Sequence, residues 1–255
     1  MMQYDHVQLR RGGFTLIEVL AATTILIIIL LMVSRIFTDT TRAWGVGNRD
    51  AVAGNHGRAV VDHIARELSC AVIGTNTTTL KLESDQSTTY GSIQADKLSF
   101  VALSEEPRDG THRSARQLSF YVATTPNTAG TVVSPGYALM RRESSQLGAM
   151  TCYKDPNWHG SFTGSSVVLA EHITTFEVFM YYNSGGLPRP QTDYDSASDG
   201  LPLMADIYVE MLSPEHARIA DQLTAGNQQD YVNRNAKGYM ARVFFNHRRG
   251  YLDEI

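Results

Sequence analysis

The chain has 255 residues, 43% of them hydrophobic and 19% charged, and a formal net charge of −4. That suits one large globular domain or two small ones, and the scattered basic residues offer a nucleic acid no clustered stretch to bind. Cys70 and Cys152 stand far apart without CxxC spacing and cannot form a structural zinc site by themselves; they read either as a bridge in an oxidising compartment or as two buried thiols.

The first predicted element is the run "FTLIEVLAATTILIIILLMVS", residues 14–34, in which Glu18 is the only charged residue. A helix of this length spans about 31 Å, close to the hydrocarbon thickness of a bilayer. A carboxylate inside it costs at least ~2.5 kcal/mol on insertion scales, so it needs a partner or a task. A cleaved secretory signal has a shorter apolar core ending in a small-x-small site, and the ending "LLMVSRIF" offers none. A plain uncleaved signal anchor fits the length but leaves Glu18 unexplained.

The stretch "RRGGFTLIEVL", residues 10–20, resembles the processing motif of type IV prepilins and of type II secretion pseudopilins. The resemblance implies that a membrane prepilin peptidase cuts after Gly13, that Phe14 becomes the N-methylated amino terminus, and that Arg10 and Arg11 belong to a short basic leader, residues 1–13. It also implies that Glu18 meets the amino terminus of a neighbouring subunit in a filament. The physics agrees, because each charge is then the other's cheapest partner in a low-dielectric layer. Arg35, Arg42 and Arg49 follow the apolar run, so the count of positive flanks does not place the leader inside. The resemblance does, putting residues 1–13 in the cytoplasm and the chain beyond about residue 35 across the inner membrane.

Residues 35–77 read as a continuation of the helical rod. Gly45, Gly47, Gly54 and Gly57 each cost ~0.5–1 kcal/mol relative to Ala, which predicts a weak, bent or broken stretch. From Arg58 onward, Val60, Val61, Ile64, Ala65, Leu68 and Val72 recur at helical spacing, with Arg58, Asp62, Arg66 and Glu67 assigned to the opposite side. From residue 78 to 255 the texture becomes that of a β-rich domain. "TLKLE" (79–83), "DKLSFVAL" (96–103), "RQLSFYVA" (116–123), "YALMRRE" (137–143), "SVVLAE" (166–171), "ITTFEVFMYY" (173–182), "LPLMADIYVEML" (201–212) and "GYMARVFF" (238–245) read as strands. In the seventh of these, Leu203, Ala205, Ile207, Val209 and Met211 share one face. Segments 104–114, 124–136 and 183–202 read as loops. Ser213-Pro214 opens a short helix over about 214–224. Strands without repeated crossover helices predict an α+β class: a long N-terminal transmembrane helix packed on a mainly antiparallel, pilin-like sheet domain.

The order of features is similar to that of J-type minor pseudopilins: an Arg-acid-Leu helix end at 66–68, the "LMRRE" strand, the "ITTFEVFMYY" strand and the "LPLMADIYVEML" strand. The chain is also similar to the larger J-like proteins of Verrucomicrobial pseudopilin cassettes, and segment 213–255 departs from a compact J-type ending. The expected function is a non-catalytic minor pseudopilin in a periplasmic protein-secretion filament, in contact with lipid, other major and minor pseudopilins and the inner-membrane secretion platform. The alternatives are a minor pilin of a type IV pilus or competence fibre, and a signal-anchored extracytoplasmic binding protein. HExxH, GxSxG, GxGxxG and phosphate-loop motifs are absent, no cofactor is implied, and the histidines have no shared-metal spacing. Asp193, Asp195 and Asp199 in "QTDYDSASDG" are weak calcium candidates. A ligand-less Ala197 and the lack of a closing Glu break the EF-hand pattern, which leaves a solvated loop as the main reading.

Overall fold

The computed structural model describes residues 15–74, 77–84, 95–103, 115–124, 137–144, 157–161, 164–184 and 187–245. The chain divides into two compact units, residues 1–50 and 51–255. In the first unit every described residue from Leu16 onward is helical, and none is buried. The helix, α1, runs Leu16–Ser69. It runs through all four glycines as one continuous helix, so of the weak, bent or broken stretch expected there the break is not found.

In the second unit α1 shows one reason for a bare position. A Cβ on Gly57 would lie 2.3 Å from the ring of Tyr239, whose hydroxyl also reaches the Ala53 carbonyl at 3.5 Å. Gly57 leaves room for an aromatic ring to lie on the helix, so its propensity cost is offset by packing rather than released as a kink.

Ten strands follow: β1 Leu80–Glu83, β2 Lys97–Leu103, β3 Ala115–Thr124, β4 Tyr137–Glu143, β5 Ser165–Ala170, β6 Ile173–Ser184, β7 Leu187–Gln191, β8 Tyr194–Asp195, β9 Pro202–Met211 and β10 Lys237–Phe244. The eight segments marked by alternation are strands β1–β6, β9 and β10. They form two sheets, one ordered β5-β4-β3-β2-β1-β8 and the other β10-β9-β6-β7, with antiparallel neighbours throughout. Register places Leu82 opposite Leu98, and Leu98 opposite Phe120, so apolar alternates stack across the first sheet. The Phe100 and Phe120 rings stack with centroids 6.0 Å apart.

Both sheets share one core with the end of α1. Val60, Val61, Ile64 and Leu68 are buried among Leu80, Leu98, Phe100 and Phe120 of the first sheet and Phe176, Val178, Ile207 and Val209 of the second. Ala205, Ile207, Val209 and Met211 face this core as expected, whereas Leu203 is 40% exposed at the strand's start. The sheets are also joined by Asp96, which is buried just before β2. Its amide donates to the Phe176 carbonyl at 2.8 Å, and its Oδ2 accepts from the Val178 amide at 2.7 Å.

Three features depart from the sequence reading. The segment 183–202 holds β7, β8 and a short helix α3, Ser196–Asp199, rather than a plain loop. Pro188 and Pro190 hid β7; they fall on alternate positions of an edge strand, where the missing N–H groups face away from the ladder. The short helix after Ser213 is Pro214–Ala220 (here α4), followed by a further helix α5, Ala225–Asn235. The cap is as expected: Ser213 Oγ accepts from the His216 amide and Pro214 opens the first turn. α5 is polar along most of its length, and only Tyr231 and Val232 pack against the cluster of Leu212, Ala217 and Ala220. A four-residue helix, α2, spans Trp158–Ser161, with the Trp158 indole donating to the Thr78 carbonyl at 2.6 Å. The predicted loop 104–114, the predicted loop 124–136 apart from Thr124, which ends β3, and residues 246–255 lie outside the described residues.

Gly57→Ala gains about 1 kcal/mol of helix propensity but displaces the Tyr239 ring, a misfit that costs about 1–3 kcal/mol. We expect a net loss of stability in urea unfolding of the detergent-solubilised chain, and that loss should vanish in a Tyr239→Ala background. A Gly57→Ala chain as stable as the parent would refute the packing account.

Candidate assembly site and the acidic loop

Glu18 lies in the first turn of α1, where its amide and that of Val19 both donate to the Thr15 carbonyl at 3.1 and 3.2 Å. A carboxylate there sits at the positive end of the helix dipole, which favours it locally by about 0.3–1 kcal/mol. The side chain is exposed, and no donor or cation among the described residues reaches its carboxylate. Around it Leu16, Ile17, Val19 and Leu20 are exposed as well. The run is long and apolar enough to cross a membrane, and none of it is buried inside the protein. The hydroxyls of Thr23 and Thr24 are satisfied within the helix, donating to the Leu20 carbonyl at 2.9 and 2.8 Å. Gly13 and Phe14 lie outside the described residues.

Cys70 is half-buried at the end of α1, packed against the core, and Cys152 lies outside the described residues.

The three aspartates of the acidic loop each have protein donors. Asp193 accepts from the Ser84 amide at 2.9 Å. Asp195 caps α3 by accepting from the Ala197 amide at 3.0 Å, and it also takes the Thr78 hydroxyl at 2.9 Å and the Lys81 ammonium at 3.1 Å. Asp199 accepts from the Asp195 amide at 2.7 Å. Beside them Ser196 is fully buried and accepts from the Thr79 amide at 2.9 Å, while the buried Tyr194 hydroxyl donates to the Gly200 carbonyl. The arrangement clasps β8 and α3 onto β1. Among the described residues no three His, Cys, Asp or Glu side chains are grouped to hold a metal ion.

Burial by itself would raise the Asp195 pKa, but its hydrogen bonds from Ala197, Lys81 and Thr78 outweigh that and hold it below the usual carboxylate range. Asp206, on the outer side of the second sheet, is held low chiefly by Arg242, whose Nε and Nη2 donate to it at 2.6 and 2.7 Å.

One ion-pair cluster escaped the sequence reading. Glu67, assigned there to the solvent side of α1, is only 12% exposed and takes Arg141 of β4 in a forked contact at 3.0 and 3.3 Å. Arg141 also donates to Glu143 at 2.7 Å, and Glu143 accepts from Arg116 of β3 at 3.1 Å. The fold thus brings the helix end "REL" and the strand "LMRRE" together. Their separation of 74 residues left no local signal, apart from two arginines and a glutamate in one short strand.

Compared with family models, with characterised proteins and with solved structures, the chain matches none.

Asp195 and Asp206 have lowered folded-state pKa values. The stability they contribute is therefore complete above the ordinary carboxylate value of about 4, and is lost as pH falls through the depressed folded values. The urea midpoint should hold between about pH 5 and 7 and drop below about pH 4. Asp195→Asn and Asp206→Asn should each lower the midpoint at pH 7 and flatten the acid limb. An unchanged limb in both variants would show that these carboxylates do not set it.

Proposed function

We propose that the chain is a minor pseudopilin, a non-catalytic subunit of a type II secretion filament held in the inner membrane by α1. The observation that carries this reading is the stretch "GGFTLIE", residues 12–18, leading into an apolar helical run that begins at Leu16, buries none of its residues within the protein and carries one carboxylate in its first turn. The α+β architecture supports it: a long apolar N-terminal helix followed by antiparallel sheets is what the resemblance implies.

On this reading prepilin peptidase removes residues 1–13 in the cytoplasm and Phe14 becomes an N-methylated amino terminus. The new terminus is a cation at the edge of an apolar layer. It has lost any chance of burial as a neutral peptide group, so a carboxylate four residues along a neighbouring helix is its natural counter-charge. Glu18 answers that need in trans. Within the same subunit its carboxylate has no cationic partner among the described residues. The β-rich domain then lies in the periplasm, where the filament meets its other major and minor pseudopilins above the secretion platform.

The test is the mass of the membrane-extracted protein. Removal of 13 of the 255 residues leaves 242, beginning at methylated Phe14. Gly13→Val should block cutting because it puts a β-branched side chain where the resemblance implies a bare glycine. Glu18→Ala should still insert and be cut, since it removes a costly carboxylate, but should co-purify poorly with partner pseudopilins because it leaves an amine unpaired. An intact 255-residue chain from cells with an active prepilin peptidase would overturn the reading in favour of a signal-anchored protein.

A further inference from the structure

Among the described residues the two sheets have four outer strands, and three of them are blunted. β8 is two residues long, β7 carries Pro188 and Pro190, and β5 has an irregular register against β4 at Leu139 and Met140. Short length, proline and irregularity keep an open strand from recruiting another chain. β10 has none of these. It runs eight residues in unbroken register beside β9.

The Phe245 amide donates to the Leu203 carbonyl at 3.0 Å, and antiparallel bonding alternates along the strand. Lys237, Tyr239, Ala241 and Val243 therefore turn their N–H and C=O toward β9, and Gly238, Met240, Arg242 and Phe244 turn theirs outward. No backbone group among the described residues meets those four. Their side chains stand on the outer face of the sheet, since Tyr239, Ala241 and Val243 pack into the core. Met240 and Phe244 are 63% and 67% exposed, more than any other large apolar side chain on a described strand. Between them, Arg242 spends Nε and Nη2 on Asp206, and its Nη1 has no partner among the described residues.

We propose that the edge of β10 docks an extended segment of another protein, which adds a strand to the second sheet. Every strand pair in the two sheets is antiparallel, and the added strand continues that pattern. Alternate residues of the segment face Met240, Arg242 and Phe244, so the site selects apolar, acidic and apolar side chains at i, i+2 and i+4. A second copy of β10 lacks the acid: the strand carries Lys237 and Arg242, and the sequence from Tyr231 to Leu252 has no Asp or Glu. Two such strands would set cations against cations. Met240 and Phe244 are exposed with the whole chain present, which favours an occupant from outside it. The site rests on β10 itself and not on the secretion reading.

The probe is a dye-labelled, end-capped peptide Thr-Leu-Thr-Glu-Thr-Leu-Thr, titrated into the full chain in detergent micelles and read by fluorescence anisotropy. Binding should saturate, weaken about fivefold when the peptide's Glu becomes Lys, and weaken about tenfold in Met240→Thr/Phe244→Thr with the urea midpoint unchanged. N-methylation of the peptide's Leu and Glu amides, which face β10, should abolish binding, whereas N-methylation of the central Thr amides should not. No saturation, or equal loss from both methylation patterns, would overturn the strand addition. A chain that is already dimeric, and becomes monomeric in Met240→Thr/Phe244→Thr, would overturn it in favour of a second copy. Tyr251, Asp253 and Ile255 repeat the apolar-acidic-apolar spacing. Binding seen only in Tyr251→Ser/Asp253→Ser/Ile255→Ser would overturn it in favour of the chain's own end.

Discussion

One helix has to satisfy two surroundings, and the rest of the structure follows from how it does so. Up to about residue 34 α1 is apolar on every side, which suits a solvent of hydrocarbon and no protein core. From Gly57 onward it is apolar on one stripe only, and Val60, Val61, Ile64 and Leu68 disappear into a core shared with both sheets. Fully burying a side chain of this kind is worth about 1.5–3 kcal/mol. Without the stripe the inner faces of the two sheets would have no common filling. The sheets are therefore organised about the apolar stripe of one helix.

Apolar burial alone does not fix how the pieces are aligned, and polar side chains set the register at each junction. Asp96 acts as a stand-in backbone for β6, Ser196 does so for β1, and Glu67 grips Arg141 across the helix–sheet boundary. In each case a buried donor or acceptor would otherwise go unmet, at a cost of about 1–3 kcal/mol. A misaligned packing leaves these groups orphaned, so they discriminate against it more strongly than they stabilise the correct one.

The legible parts of the sequence were those with a period. Apolar and β-branched residues repeating over several positions marked β1–β6, β9 and β10, and the Ser213-Pro214 cap marked α4 by its local chemistry. β8 has two residues, too few for any period, and β7 carries two prolines that read as a turn. α5 has almost no apolar stripe to detect. Glycine was read by propensity alone, which cannot see a ring arriving from Tyr239. Glu67 was placed by helical angle, yet its long side chain reaches around the helix to an arginine 74 residues away. In the candidate site the reverse holds. Glu18 stands out because one charge interrupts an apolar run, and no described residue of this chain pairs with its carboxylate.

The contact of Tyr239 with α1 also bears on the order of events during synthesis. Its hydroxyl reaches Ala53 across a separation of 186 residues, so the first and last elements of the β-rich unit are neighbours. A ribosome releasing this chain presents the helical stripe long before β10 exists to complete the second sheet. Closure of so long a loop is slow relative to local helix formation, and the intermediate displays both the stripe and the unpaired edge of β9. Such a chain needs either rapid completion or a holding factor as it emerges, and truncation near its end would strand it in that half-built state.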